Sequence, residues 1–426
     1  MNLARLNHIL IPKTKAERDR FRRGRTHRVF RFLIDFWSSL TREGVFLFIF
    51  WPLMGAVSLN IRYSHSYLLF SALTGLLLAA VVMRGLFRLD RVRLEVSVPP
   101  RVTVGEEISL AIKVHNGGRR VAQTLRISGP FLPWDGAYTG GTRSIPQLHP
   151  GEAAQTRLTA TFAERGEHHL DPFSVRALVP LGLTTSAPVQ SGGTRFMVVP
   201  RIAPVLRLDT PLGLRYQPGG VALASRTGES MELIGVRPYR PGDPIRDLHA
   251  RSWARTGVPV VREYQQEYFS RVGVVLDTAS AGPDDPRLEA AISLAAGVVA
   301  NLSRGEALID LLVVGDQVHR LTLGRNLGFL DQALDLLACV NPAPDLDLRV
   351  LEERLDPHLS RLSCLVMVAL AWDDQRRRLM ERVAARQVGC RTLLVTDEAR
   401  SRQPVAEDGV VVVTLASIQQ GQGLLL

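Results

Sequence analysis

The chain of 426 residues carries three cysteines, Cys339, Cys364 and Cys390. They are odd in number, far apart and in no Cys-x-x-Cys pair, which argues against a disulfide framework and against a zinc site. A free thiol inside "LSCLVMVAL" reads as core, and this usage fits a reducing compartment. Nucleotide motifs are missing too. There is no G-x-x-x-x-G-K-[ST] and no G-x-G-x-x-G behind a strand, so the chain is expected to bind no nucleotide and no cofactor. No G-x-S-x-G elbow is present. No heptad repeat is sustained, and the sequence leaves the oligomeric state open.

Positive charge is unevenly spread. The net charge is +11, but residues 1–42 set eleven Lys or Arg against Glu17, Asp19 and Asp35, leaving only +3 for the rest. Basicity therefore belongs to the tail rather than to a nucleic-acid-binding domain, and no nucleic acid is expected as a partner. Beside an apolar run, such a tail reads as a topology signal.

A chain that is 46% hydrophobic and 22% charged invites a search for membrane segments. "GVFLFIFWPLMGAVSLNI" lies between Glu43 and Arg62, and "YSHSYLLFSALTGLLLAAVVM" between Arg62 and Arg84. Both lack charge apart from a possible proton on His65, and both approach the ~17–25 residues of a spanning helix. Pro52 is tolerable in such a helix. A buried hairpin in a soluble core is the alternative. A signal peptide fits poorly, since the first apolar run starts about forty residues in. Arg84, Arg88, Arg91 and Arg93 follow the second run, and only Arg62 marks the loop. Two spans with basic flanks put both termini in the cytoplasm of a cell with the hairpin in its inner (plasma) membrane. "VFRFLIDFWSSL" places Val29, Phe32, Leu33, Phe36, Trp37 and Leu40 on one face, either as an interfacial helix or as an extension of the first span.

From Leu94 the pattern alternates with period two and breaks at Gly and Pro turns, which predicts a β-sandwich, immunoglobulin-like, to about residue 200. His168 and His169 fall on opposite faces of a strand, a poor chelate, and read as solvated. In the C-terminal third, apolar strands such as "VGVVLDTA" and "RLSCLVMVAL" alternate with helices such as "DPRLEAAISLAAGVVANLSR". That predicts a parallel sheet covered on both faces. Ligands in such folds bind at the carboxyl ends of strands, which singles out Asp277, with Asp373 and Asp374.

Between these regions, "VRPYRPGDPIRDLHARSWARTG" packs arginines around a Pro-Gly-Asp turn. Asp243 reads as an N-cap, with Pro244 at the first helical position and Gly242 in the turn. A short helix would carry Ile245, Arg246, Leu248 and His249. Six arginines and four acids between Arg237 and Glu267 suit a salt-bridged network better than a phosphate cradle. Structural ion pairs, a partner-docking surface and catalysis by His249 all remain open; no nucleophile stands near His249 in sequence.

The run "GESMELIGVRPYRPGDPIRDLHARSWARTGVPVVREYQQEY", followed by a strand ending "LDTA", resembles the bacterial domain of unknown function 58 family. The matching positions are Glu232, Gly235, Arg237, Tyr239, Gly242, Asp243, Arg246, His249, Ala254, Arg255, Glu263 and Glu267. The likeness extends to the apolar hairpin and to "RGEHHLDPFSVRALVPLGLTT". Pro238 and Ala250 depart from the family's Glu and Trp, with Trp253 close to the latter. The resemblance implies a von Willebrand factor A-like C-terminal domain and work beside a MoxR-type AAA+ ATPase in assembling or remodelling proteins. Von Willebrand A domains that bind Mg²⁺ use Asp-x-Ser-x-Ser for hard oxygen ligands. Here Ala279 and Ala281 stand at the serine positions, with Thr278 and Ser280 out of phase. Asp277 is thus a degenerate metal position, and no metal is expected.

The expected architecture is a basic tail (1–43), a transmembrane α-hairpin (44–93), a β-sandwich (94–200), a linker carrying the Arg/Gly-Asp/His motif (201–265) and an α/β domain (266–426). The expected role is a non-enzymatic, membrane-anchored adaptor whose partners are the lipid bilayer and proteins, an AAA+ ATPase among them. The expected interaction motif is Arg237, Tyr239, Gly242, Asp243, Arg246, His249, Arg255, Glu263 and Glu267. The competing readings are a metal-assisted enzyme built on Asp277, Asp373 and His249, and an envelope scaffold with no ATPase partner.

Overall fold

The computed structural model describes residues 36–58, 64–133, 135–211, 217–218, 233–243, 245–264, 268–269, 271–280, 282, 285–304, 308–314, 318–323, 328–344, 348–397 and 409–426. Most of the basic tail, Arg62, Glu232, Pro244, Glu267 and Ala281 lie outside the described residues. The chain divides into two compact units, Met1–Val199 and Pro200–Leu426.

The first unit opens with helices α1 (Arg42–Ser58) and α2 (Ser64–Leu86). His65–Leu86 of α2, 22 residues with a mean hydropathy of 2.1, is long and apolar enough to cross a membrane. It is the one helix of that length and composition among the described residues; α1 has 17 residues, with Pro52 inside it. Trp51 of α1 stacks on Phe70 of α2 at 5.7 Å, and its indole N–H donates to Thr74 Oγ1 at 2.8 Å. The start of α1 is pinned to a loop before residue 185. Thr41 N–H donates to Leu183 O at 3.0 Å, and Thr41 Oγ1 donates to Gly182 O at 2.7 Å. Gly44 is required here, because a Cβ would sit 2.1 Å from Leu183 O.

The strands that follow are β1 (Val92–Ser97), β2 (Arg101–Thr103), β3 (Glu107–Asn116), β4 (Ala122–Ser128), β5 (Gly136–Gly141), β6 (Ser144–Leu148), β7 (Ala153–Phe162), β8 (Gly166–Leu170), β9 (Ser174–Ala177), β10 (Val189–Gln190) and β11 (Thr194–Val199). They form sheets ordered β1-β3-β7-β5, β10-β9-β4-β6 and β2-β11-β8. The period-two pattern does what it should: β3 buries Ile108, Leu110, Ile112 and Val114, while Ser109 and Lys113 between them are exposed and Ala111 is half-buried. These side chains meet Leu125 and Ile127 of β4, Leu158 and Phe162 of β7 and Phe196 of β11 in one core.

One expectation fails in this core. His168 is not solvated but buried, edge-on to Phe162 at 5.3 Å. Adjacent strand residues face opposite ways, so one of the two histidines had to point inward. Asp135 makes that tolerable: His168 Nε2 lies 2.8 Å from its Oδ2, and Nδ1 lies 3.0 Å from Gly166 O.

The second unit begins with β12 (Val205–Arg207), which pairs in parallel with β23 (Leu424–Leu425) at the far end of the chain. Between them come β13 (Gln217–Pro218), β14 (Leu233–Pro238), α3 (Ala250–Thr256), β15 (Val260–Tyr264), β16 (Tyr268–Phe269), β17 (Arg271–Asp277), α4 (Pro286–Ser303), β18 (Leu308–Val314), β19 (Val318–Leu323), α5 (Gly328–Ala338), α6 (Leu348–Leu359), β20 (Cys364–Ala369), α7 (Asp374–Ala385), β21 (Gly389–Thr396), β22 (Val410–Thr414) and α8 (Leu415–Gln419). Residues 203–207, which fell in the expected linker, lie against α4. Ala203 N–H donates to Ser293 O at 3.1 Å, and a Cβ on Gly297 would stand 2.3 Å from Ala203 O.

The main sheet runs β19-β18-β17-β20-β21-β22. β17, β18, β20, β21 and β22 are parallel, as their continuous apolar runs predict. β19 is antiparallel to β18, a correction to the all-parallel reading. Only residues 315–317 separate the two strands, too few for a parallel crossover. On one face, Leu348, Leu351, Leu355 and Leu359 of α6 pack with Leu379 and Val383 of α7. α4 buries Leu288, Ile292, Ala295 and Val299. Asp285 is its N-cap, and Pro286 stands in the first turn. Cys364 is buried, Cys390 half-buried and Cys339 exposed, all as free thiols. Burial pushes the Cys364 thiol up to about 12 and the Cys390 thiol up to about 11, which removes both as nucleophiles at neutral pH.

Candidate interaction site

β14 and β15 form an antiparallel hairpin, with Val236 opposite Arg262 and Arg237 opposite Val261. The connection between them is not a simple turn. It carries a 3₁₀ turn, Ile245–Asp247, and the two-turn helix α3. The helix starts later than the sequence suggests. Its N-cap is His249, whose Nδ1 accepts the N–H of Ser252 at 3.3 Å. Asp243 has another task. Arg237 clamps it bidentately, Nη1 to Oδ2 and Nη2 to Oδ1, both at 2.8 Å. Arg240 N–H also donates to Oδ2, at 2.8 Å. The carboxylate is thus turned back to the Arg237–Arg240 side of the loop, and α3 takes its cap from His249. Gly242 turns the chain at φ 103°, a conformation that only glycine takes without strain. Gly257 ends α3 in the left-handed region, its N–H returned to Trp253 O.

The charge-assisted bonds from Arg237, and then the Arg240 N–H, hold the Asp243 carboxyl down at about 2. The sign follows: the clamp favours the folded module above the ordinary value of 3.8 and loses its contribution as pH falls through about 2. Arg237→Gln is therefore expected to move the Asp243 carboxyl titration, followed by carbon NMR, upward toward the ordinary value. An unmoved midpoint would show that the clamp does not form in solution.

Among its described side chains, the module buries only Val260 and Val261. It exposes large apolar side chains instead: Ile245 is 77% exposed, Trp253 42% and Tyr239 37%, with Val236 and Val258 also exposed. Arg240, Arg246, Arg251, Arg255 and Arg262 stand among them, all exposed. The segment Leu233–Tyr264 carries six arginines against Asp243, Asp247 and Glu263, a net +3. Arg246 approaches Asp247 only to 4.0 Å. Glu263 pairs through its backbone with Gly235, and Glu267 lies outside the described residues. The structure therefore brings Arg237, Tyr239, Gly242, Asp243, Arg246, His249 and Arg255 into one excursion.

His249 has a nearby hydroxyl that the sequence reading overlooked: Ser252 Oγ lies 2.7 Å from Nδ1. The i, i+3 spacing of a helix cap accounts for the contact, since the same Nδ1 takes the Ser252 N–H.

Asp277 occupies a different place. β17 leads through α4 to β18 on one side, and the chain returns to β20 on the other. The carboxyl ends of β17 and β20 thus flank the switch point where open α/β sheets bind ligands. Asp277 lies there, 1% exposed. Its Oδ1 accepts Ala279 N–H at 3.0 Å, and its Oδ2 accepts Leu370 N–H at 3.3 Å, just past β20. Oδ2 also takes Nε and Nη2 of Arg376, both at 2.8 Å. Arg376 comes from the first turn of α7, is 6% exposed and bonds Asp373 as well. Asp373 in turn is the α7 N-cap. The guanidinium stands where a cation on Asp277 would stand. Ser280 Oγ turns to Asp285 at 3.0 Å. These residues do not fit a divalent metal, and among the described residues no group of three or more His, Cys, Asp or Glu side chains is gathered to hold one. Arg376 was legible only as part of a charged helix face, because its partner Asp277 lies 99 residues away.

Residues 235–421 match the model of a family described as protein of unknown function DUF58, a stretch that spans the hairpin module and the main sheet. No curated protein matches. Among solved structures, the chain is similar at 14% identity and a TM-score of 0.21 to Escherichia coli alpha-2-macroglobulin, over 26% of this chain and 7% of that one. The CARDB domain of a Pyrococcus furiosus protein is 13% identical, with a TM-score of 0.18, over 26% and 93%. The cupredoxin domain of amoB from Nitrosocaldus yellowstonii is 11% identical, with a TM-score of 0.19, over 26% and 90%.

Proposed function

We propose that this protein is a membrane-anchored adaptor that docks a protein partner on the β14–α3–β15 module. The observation that carries this is the exposure of Ile245, Trp253 and Tyr239 among arginines. Trp, Tyr and Arg are the residues that dominate binding energy at protein interfaces, and exposed apolar side chains gathered with them mark interaction sites. The Arg237–Asp243 clamp and the Gly257 cap hold the excursion in one shape before binding, which lowers the ordering cost of association.

In this reading α1 and α2 are both spans, with the two termini on the cytoplasmic side. The first unit's strands act as an immunoglobulin-like sandwich, and the second unit acts as a von Willebrand factor A-like domain that works without metal. The resemblance to the domain of unknown function 58 family implies that the partner is an AAA+ ATPase of the MoxR type, supplying the ATP-driven step. Positive charge on the module calls for an acidic patch on that partner.

The test is co-purification of the tagged full chain from its native membrane, with and without ATP, beside a Trp253→Ala variant. Recovery of an AAA+ ATPase in an ATP-sensitive manner is expected, with the variant binding it about tenfold more weakly. Recovery of envelope proteins alone, at equal levels for both chains, would replace the adaptor with a scaffold.

A further inference from the structure

The first unit contains an apolar slot of about 240 Å³ between α1, α2 and the loop at residues 183–184. It is larger than the roughly 150 Å³ apolar cavities that take a benzene-sized guest. Its polar side chains are already used. Trp51 donates to Thr74, Thr74 to Phe70 O at 2.7 Å, and Thr184 to Ala80 O at 3.2 Å. The slot offers a guest contact but no hydrogen bond.

One end is shut by this loop: Leu183 and Thr184 line it, Leu183 O accepts the Thr41 N–H, and the next residue, Thr185, donates its N–H to Ser39 O. The apolar surface of the helices continues away from that end, with Phe46, Ile49, Leu53, Leu69 and Leu78 exposed. Arginines gather at the shut end. Arg42 begins α1, and Arg84 follows the lining residues Ala80 and Val81 by one turn of α2. Arg176 Nη1 donates to Ser38 O, and Arg126 is close enough to act on Glu43. Glu43 shares this end.

We propose that this slot holds one acyl chain of an anionic phospholipid whose phosphate lies on the arginines at the shut end. An apolar channel that gives no hydrogen bonds suits hydrocarbon, and a rim with excess positive charge suits phosphate. The site rests on the reading of α1 and α2 as membrane helices. It would fix the height of the following strands above one leaflet and make the anchor sensitive to lipid composition.

The test uses the full chain in vesicles of phosphatidylcholine and phosphatidylglycerol, with bromine on the acyl chains of one lipid at a time. Trp51 lines the slot, and its share of the fluorescence is taken by difference from Trp51→Phe. The Trp51 signal is expected to be quenched several-fold more by brominated phosphatidylglycerol than by brominated phosphatidylcholine at equal mole fraction. Arg42→Gln with Arg84→Gln is expected to erase that preference while circular dichroism stays unchanged. Equal quenching by the two lipids, or a preference that survives both substitutions, would overturn the site. A chain that fails to float with the vesicles would overturn the membrane reading itself, and the lipid site with it.

Discussion

Arg376→Ala is expected to cost the second unit about 3–5 kcal/mol, because it strands the carboxylate of Asp277 in the interior. Asp277 has two backbone N–H donors besides Arg376, but they are dipoles and cannot neutralise it. For a unit of this size the loss corresponds to a fall in Tm of roughly 10 °C, measured by thermal melting followed by circular dichroism. Asp277→Asn should cost less. It keeps an acceptor for one backbone donor and leaves Arg376 its bond to Asp373. A double change of Asp277→Leu with Arg376→Met should recover part of the loss, since an apolar pair of similar volume avoids both desolvation costs. Equal melting temperatures for wild type and Arg376→Ala would show that the pair is open to water in solution.

The same melts separate the adaptor from a metal-assisted enzyme. A ligand that binds only the folded state raises Tm with its concentration. If Asp277 held Mg²⁺ beside His249 or Asp373, millimolar Mg²⁺ would raise the wild-type Tm and chelation would lower it. With Arg376 already on Asp277, neither shift is expected for wild type. The plug also bears on docking. In an open α/β sheet the switch point is the usual ligand crevice, and here Arg376 holds the Asp277 carboxylate within it. The module before β17, by contrast, leaves Trp253 and Ile245 exposed.

What could be read from the sequence was local or periodic. The periodicity of "DPRLEAAISLAAGVVANLSR" announced α4, and the apolar run "VGVVLD" placed Asp277 at a strand end. Alternation in "EISLAIKVHN" predicted which side chains of β3 face inward. The parts that escaped depend on partners distant in sequence or on competition between neighbours. Asp243 has the right residue type for an N-cap, but Arg237 six positions earlier takes the carboxylate, and the helix is capped by His249, which is not among the Ser, Thr, Asp and Asn that N-caps favour. The short gap before β19 was visible in "LLVVGDQVHRLTL", and its length alone rules out a parallel return. Arg376 gave no signal, because nothing in a run of arginines says which one is buried.

In the first unit the largest expected effect lies at His168. Its ring is buried between Phe162 and Phe196, and its two nitrogens meet Asp135 and Gly166 O. Burial acts to lower its pKa, but the Asp135 hydrogen bond, the Gly166 carbonyl and the charges of Asp135 and Glu164 outweigh it, so the net shift is upward from 6.5. The unfolded chain therefore gives up this proton at lower pH than the folded one. The stabilisation is fully present below 6.5 and is lost as pH rises through the raised folded value. Asp135→Asn is expected to cost about 1–3 kcal/mol at the acid end of that window and less above it, so that melting temperatures of wild type and variant converge as pH increases. The opposite trend, with the two diverging toward alkaline pH, would mean that the imidazole is buried neutral. Asp135 would then serve as a hydrogen-bond acceptor rather than as a counter-charge.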